Sequence, residues 1–263
     1  MPRKQNKPDL RLPKRPVDPT GTAGLRQIYR REIYGLFKKF SEHLEPRIVR
    51  LLKRSDIKLD TNDYITPGFL KEFIEKIEEV ESSVIRAGSP SIINKIITLA
   101  FKRGKQVASS NPRLRYQSIT IPSVLSRTDN LALEDLKIRN FNLINDDTIK
   151  KKLLQIITED IRTGEGIDKM VRDIRNNIID IGKTRAKMIA RTETAFSYNT
   201  AVAKTYRDAG IDKWQWFSAL IDTTCAECSS RHGNVYDWGD EQPPLHPNCY
   251  CSIYPVVDKE FKP

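Results

Sequence analysis

Four cysteines and one histidine near the end of this 263-residue chain are its residues best suited to chemistry. Cys225 and Cys228 are separated by two residues, Cys249 and Cys251 by one, and His246-Pro247-Asn248 runs straight into the second pair. Donors paired at such short separations let two turns close around one ion, and zinc takes four sulfur or nitrogen donors in a tetrahedron. In extended chain, residues two apart share a face, so Cys249 and Cys251 are able to point at one ion together. His246 and Cys249 form a competing pair. Five candidates for a four-ligand site leave two sets open, one all cysteine and one of three cysteines with His246; both contain Cys225 and Cys228.

The pattern points to a structural Zn2+ site rather than a catalytic one. A catalytic zinc needs an open coordination position and a nearby base. The chain has neither a His-x-Glu half-motif nor a His-Glu-x-x-His helix. Glu227 is the one acid placed to act, and the alternative of a zinc-dependent nuclease or hydrolase would pair it with His246 or His232. Met1 to Arg15 is basic and interrupted by prolines, with no apolar stretch of the kind that directs export, so disulfides are not expected.

The elements that must position these donors read as short strands after a long helical body. Trp214 to Ala219, Val235 to Trp238 and Ser252 to Val257 are rich in aromatic and β-branched residues, as strands are. Asp222 to Thr224 and Ser229 to Asn234 are turn-forming, with Arg231 to Asn234 reversing the chain. Before them, apolar residues from Leu25 to Leu51 recur at three- and four-residue steps, with a bend expected at Pro46. Thr66-Pro67 is a helix start, with Gly88 expected as the stop. Ser89-Pro90 opens a further helix from Ser91 to Ser109, and 111–127 reads as irregular. Helical spacing returns over 131–139, 147–162, 167–178 and 183–209, with breaks at Asn145-Asp146, Gly164-x-Gly166 and Gly182, and Gly210 as the final cap. The fold class is therefore mainly α with a small C-terminal α+β zinc-binding module. The expected organisation is a flexible basic arm over 1–24, helical regions over 25–127 and 128–210, and a zinc knuckle over 211–263.

Charge is unevenly spread. The chain carries a net +11, yet residues 211–263 carry a net −4 and residues 1–210 a net +15. A basic body suits an anionic partner, with nucleic acid the first candidate and an acidic protein surface the second. Arg3, Lys4, Lys7, Arg11, Lys14 and Arg15 in the arm, and Lys102, Arg103, Lys105, Arg113 and Arg115 further on, are the candidate phosphate contacts. No recognition-helix signature accompanies them, so any DNA binding is expected to ignore sequence. No apolar run approaches the ~20 residues needed to span a membrane.

Ala190-Arg191-Thr192-Glu193, a helix ending near Asp208-Ala209-Gly210, Asp222-x2-Cys225-x2-Cys228, Gly233-x-Val235 and His246-Pro247-x-Cys249-x-Cys251 follow one another in an order that resembles the phage head morphogenesis family. These are the Mu F-like minor head, or minor capsid, proteins. The likeness covers roughly 149–257. Tyr250 stands where that family would have Arg. The resemblance implies a non-enzymatic virion component of the head interior or portal vertex, assembled in the host cytoplasm. Its implied partners are the portal protein, procapsid or scaffold components, and packaged double-stranded DNA. A stand-alone basic DNA-binding protein is the remaining alternative.

Overall fold

A computed structural model describes residues 18–54, 66–115, 120, 122–139 and 148–257. The elements run α1 (Ala23–Leu52), α2 (Pro67–Val80), a π-helical segment (Glu81–Arg86), α3 (Ala87–Ser109), α4 (Pro112–Arg115), α5 (Arg127–Arg139), α6 (Thr148–Arg162), α7 (Ile167–Asp208), β1 (Lys213–Phe217), α8 (Ala226–Arg231), β2 (Val235–Asp237) and β3 (Ser252–Val256). The protein is mainly α with a small C-terminal sheet, as the sequence indicates. The arm residues 1–17 and the Asn145-Asp146 break lie outside the described residues.

Helix ends follow their local signals. The Thr66 hydroxyl accepts the Phe69 N–H, and Pro67 occupies the first turn, where its missing N–H costs nothing. At the end of α7, Ile211 N–H reaches Tyr206 O and Gly210 N–H reaches Arg207 O, with Gly210 at φ +74°. This is a Schellman closure, which needs a left-handed residue where glycine has no steric penalty. Ser126 and Asp129 form a reciprocal capping box at the start of α5: each side chain accepts the other's backbone N–H.

Two glycines read from sequence as breaks are contact points instead. Helical structure passes through Gly88, where an added Cβ would lie 2.6 Å from the Leu36 side chain. It also passes through Gly182, inside the continuous α7, where a Cβ would lie 2.5 Å from Phe37. Close helix packing, not chain reversal, demands glycine at 182, where the fixed Phe37 Cβ stands in the way; at 88 the neighbour is the movable end of Leu36. The restart at Ser89-Pro90 is likewise absent, and Pro90 lies inside α3 directly after the π-helical segment. Interruption of the regular i to i−4 ladder there helps a helix absorb a residue with no N–H. Helix α1 similarly continues through Pro46.

The chain divides into two compact units, neither a contiguous stretch. One comprises 29–92 and 140–187, and its core includes Phe37, Phe40 and Leu44 from α1, Phe73 and Ile77 from α2, and Leu153 from α6. Lys150 on α6 reaches Glu78 on α2 at 2.7 Å across its surface. The other comprises 1–28, 93–139 and 188–263, and holds all of the candidate donors.

In that second unit the sheet has order β2-β1-β3, with both pairings antiparallel. Trp214 faces Tyr236 on one side and Pro255 on the other, while Trp216 pairs with Ile253. Pro255 is tolerated because β3 is an edge strand. Trp214 and Trp216 are fully buried and pack with Tyr198, Val202 and Tyr206 of α7 in one cluster that also takes in Cys228, Cys249 and Cys251. Sheet and helix thus share a core. Thr20 and Thr22, within the expected flexible arm, are buried too, and Arg26 pairs with Asp18 at 2.8 Å beside them.

Candidate metal centre

The first pair of cysteines is set by a helix start. Cys225 is the N-cap of α8, with extended backbone, and its Sγ accepts the Cys228 N–H at 3.4 Å. Residues 226–231 are therefore helical where the sequence suggested turn from Ser229 onward, and the reversal is confined to 232–234, with Gly233 at φ +83°. The second pair follows Asn248, whose φ of +66° bends the chain between His246 and Cys249. Asparagine is among the few residues that take this conformation readily.

These turns bring the five donors into two groups that share Cys228. His246 Nε2 lies 3.3 Å from Cys225 Sγ and 3.2 Å from Cys228 Sγ, and Cys228 Sγ lies 3.7 Å from Cys249 Sγ. Cys225, Cys228 and His246 form one group of mutually close donors, and Cys228, Cys249 and Cys251 a second, with Cys228 common to both. Either group could hold a metal ion. A tetrahedron with bonds of ~2.3 Å to sulfur and ~2.0 Å to nitrogen has edges of roughly 3.5 to 3.8 Å, close to these separations. His246 donates its Nδ1 proton to Pro247 O at 2.8 Å, which leaves Nε2 as a lone pair facing the sulfurs. That same carbonyl holds the His246 pKa above the ordinary imidazole value.

The thiols divide by environment. Hydrogen bonding from Cys251, against burial, brings the Cys249 pKa down to about 5. Being that donor, and buried, pushes Cys251 far up. Ser218 Oγ lies 3.3 Å from Cys251 Sγ, and it already spends its proton on Cys228 O at 2.6 Å. Burial raises Cys228 to about 12, whereas the Cys228 N–H lowers exposed Cys225.

Helix α7 supports this loop from below through residues that sequence reasoning did not assign to the site. Thr192 Oγ1 accepts the Asn248 N–H at 3.2 Å, and Asn199 donates to Cys251 O at 3.0 Å. The Tyr250 ring is met by two guanidiniums, Arg191 at 3.9 Å from its centroid and Arg26 at 5.0 Å. Thr192 stood in a recognisable run, but nothing local ties it or Asn199 to a loop some fifty residues away.

The other candidates are placed differently. Glu227 pairs with Arg231, which also reaches Glu241, and His232 Nδ1 accepts the Ser218 N–H. No carboxylate among the described residues joins the donor groups. Lys105 is buried against Asp129 at 3.1 Å, and buried Arg113 donates to Pro255 O at 2.8 Å and stacks on Tyr254. Both are occupied inside the protein rather than presented to phosphates. Lys102 is exposed, and Arg103 is half-buried and bonded to Gln106. The Arg115 side chain and residues 3–15 lie outside the described residues.

Glu193, in the same run as Arg191 and Thr192, is only 2% exposed, and its Oε2 has no hydrogen-bond partner. Burial pushes its pKa up to about 7.

A helical protein with a Cys/His-clasped small sheet is the class that this fold and site define. The family model described as Phage Mu protein F like protein matches residues 151–254, which takes in most of α6, all of α7, most of the sheet and all five donors, so this region is similar to that family. No curated protein and no solved structure matches the chain.

The Glu193 pKa has a signed consequence. An acid raised on folding binds more protons folded than unfolded between about pH 4.5 and 7, so stability falls as pH rises through that window and levels off above it. The loss is on the order of 3 kcal/mol. Glu193→Gln is expected to be more stable than the parent at pH 8 and to differ little at pH 4.5, as read by urea denaturation at both values; an unchanged difference between the two proteins across pH would contradict the assignment.

Proposed function

We propose that this protein is a phage minor head protein acting in head morphogenesis. The family match over 151–254 carries this reading, because it coincides with the segment that builds the donor cluster and the helix supporting it. In this role the protein joins the procapsid through the portal protein, enters the virion, and contacts packaged double-stranded DNA without sequence preference. The basic body supports the last part, with the arm cations as the contacts. Coexpressed with the portal protein and procapsid proteins, it should copurify with them. Elution as a separate species would overturn the reading. Its affinity for duplex DNA should fall steeply with salt, by a slope of ~0.9 per phosphate contact, and a flat response would remove the DNA role.

The bound ion in this reading is a structural Zn2+, held by Cys225, Cys228, His246 and Cys249. Supporting this choice, Cys249 Sγ adjoins Cys228 Sγ at 3.7 Å, whereas Cys251 Sγ has Ser218 Oγ beside it at 3.3 Å. Zinc would supply crosslinking of α8 to the loop before β3; it needs no open position. Nothing at the site favours hydrolysis, since Glu227 is engaged by Arg231. Elemental analysis should give about one zinc per chain, retained in Cys251→Ser and lost in Cys249→Ser. Equal loss from both variants, or a folded protein without metal, would refute this ligand set.

A further inference from the structure

Five large hydrophobic residues are exposed among the described residues, and three of them, Ile28 (52%), Leu99 (43%) and Val124 (77%), line one groove. The groove measures roughly 940 Å³ and lies within the unit that carries the sheet. Leu25 and Ile28 of α1 form one wall, Leu99 of α3 another, and the Val124-Leu125 segment before α5 the third. Exposed apolar residues scattered singly need no explanation, but a cluster in a concavity marks a place where something docks.

The charge around it selects the occupant. Lys102 and Arg103, one turn on from Leu99, border the groove, and among the described residues no acidic side chain lines it. The adjacent Asp129 is buried and neutralised by Lys105 and Lys204. An apolar floor with a cationic edge complements a segment that carries apolar residues on one side and carboxylates beside them. Two helix walls with Leu99, Arg103 and Gln106 at four- and three-residue steps suit an amphipathic helix laid between them. Duplex DNA would meet an apolar floor and few cations here, whereas phosphate-tracking surfaces are densely basic. The chain's own residues 1–17 hold six Lys/Arg and one Asp, so they would meet like charge.

We propose that this groove is a docking site for an acidic amphipathic helix of a partner protein. The inference stands apart from the metal site and from the head-protein reading, and it is tested without knowing the partner. The probe is a fluorescein-labelled synthetic helix of about five turns, with a leucine stripe flanked by glutamates, and a twin in which lysines replace the glutamates. Binding to the full chain is followed by anisotropy at ~100 mM salt, where surface charge still acts over about 10 Å. The glutamate helix should bind at least about tenfold tighter than its twin, a difference of ~1.4 kcal/mol. Val124→Asp, on an exposed segment with little to disrupt, and Leu99→Asp should each weaken it by a similar factor, and Lys102→Glu with Arg103→Glu should reverse the preference. Equal binding of the twins, or indifference to both apolar variants, would overturn the proposal. So would a homodimer abolished by Val124→Asp, which would assign the groove to a second copy, or tighter peptide binding after removal of residues 1–17, which would assign it to the arm.

Discussion

The structure around the donors depends on the grip of the second half of α7 on the sheet. Strands of three to five residues in a three-stranded sheet bury too little to stand alone. Here Trp214 and Trp216 are sealed against Tyr198, Val202 and Tyr206, so the helix supplies one side of the core that the sheet lacks. The Trp214 and Trp238 indole N–H groups are satisfied by Asp237 O and Ile211 O, and Tyr206 receives the Asn111 amide. Without those bonds, burying such large amphipathic rings would be costly. Three of the candidate donors, Cys228, Cys249 and Cys251, sit in this same core, so their placement rests on it.

What sequence could reveal depended on how far each feature reached along the chain. The caps at Thr66 and Gly210 and the paired cysteines were legible because each is closed within a few residues. The strands were legible from aromatic and β-branched content, with ends within a residue or two of those observed. Gly88 and Gly182 were misread for a physical reason: a glycine at a chain break and a glycine under a neighbouring side chain are the same letter. Only Leu36 and Phe37, far upstream, distinguish them. The helical turns at α4 and α8 were also missed, being too short to show a period.

The cation cluster near the end of α3 shows the same dependence for charge. Lys102, Arg103, Lys105, Arg113 and Arg115 look like one basic surface when read in line. Folding divides them, because Asp129 and the Pro255 carbonyl take Lys105 and Arg113 into the interior. Burial there holds two opposing effects: desolvation works to raise the Asp129 pKa, yet the Ser126 groups and Lys105 outweigh it and keep the carboxylate ionised. Breaking such a buried pair is far more disruptive than losing an exposed charge. Net charge of a segment therefore overstates the charge it offers to a partner.

Preorganisation is the remaining link between the helix and the donors. A loop that binds metal must otherwise lose conformational freedom as it closes, at ~1 to 2 kcal/mol per residue. Here Thr192 holds the Asn248 N–H at the left-handed bend, Asn199 holds Cys251 O, and Pro247 O sets which imidazole nitrogen faces the sulfurs. Tyr250, between them, is clasped by Arg191 and Arg26. An Arg at position 250 would meet these two guanidiniums with like charge; Tyr meets them with a ring face that attracts cations. The loop is fixed by contacts with α7 and with Arg26 before any ion is considered.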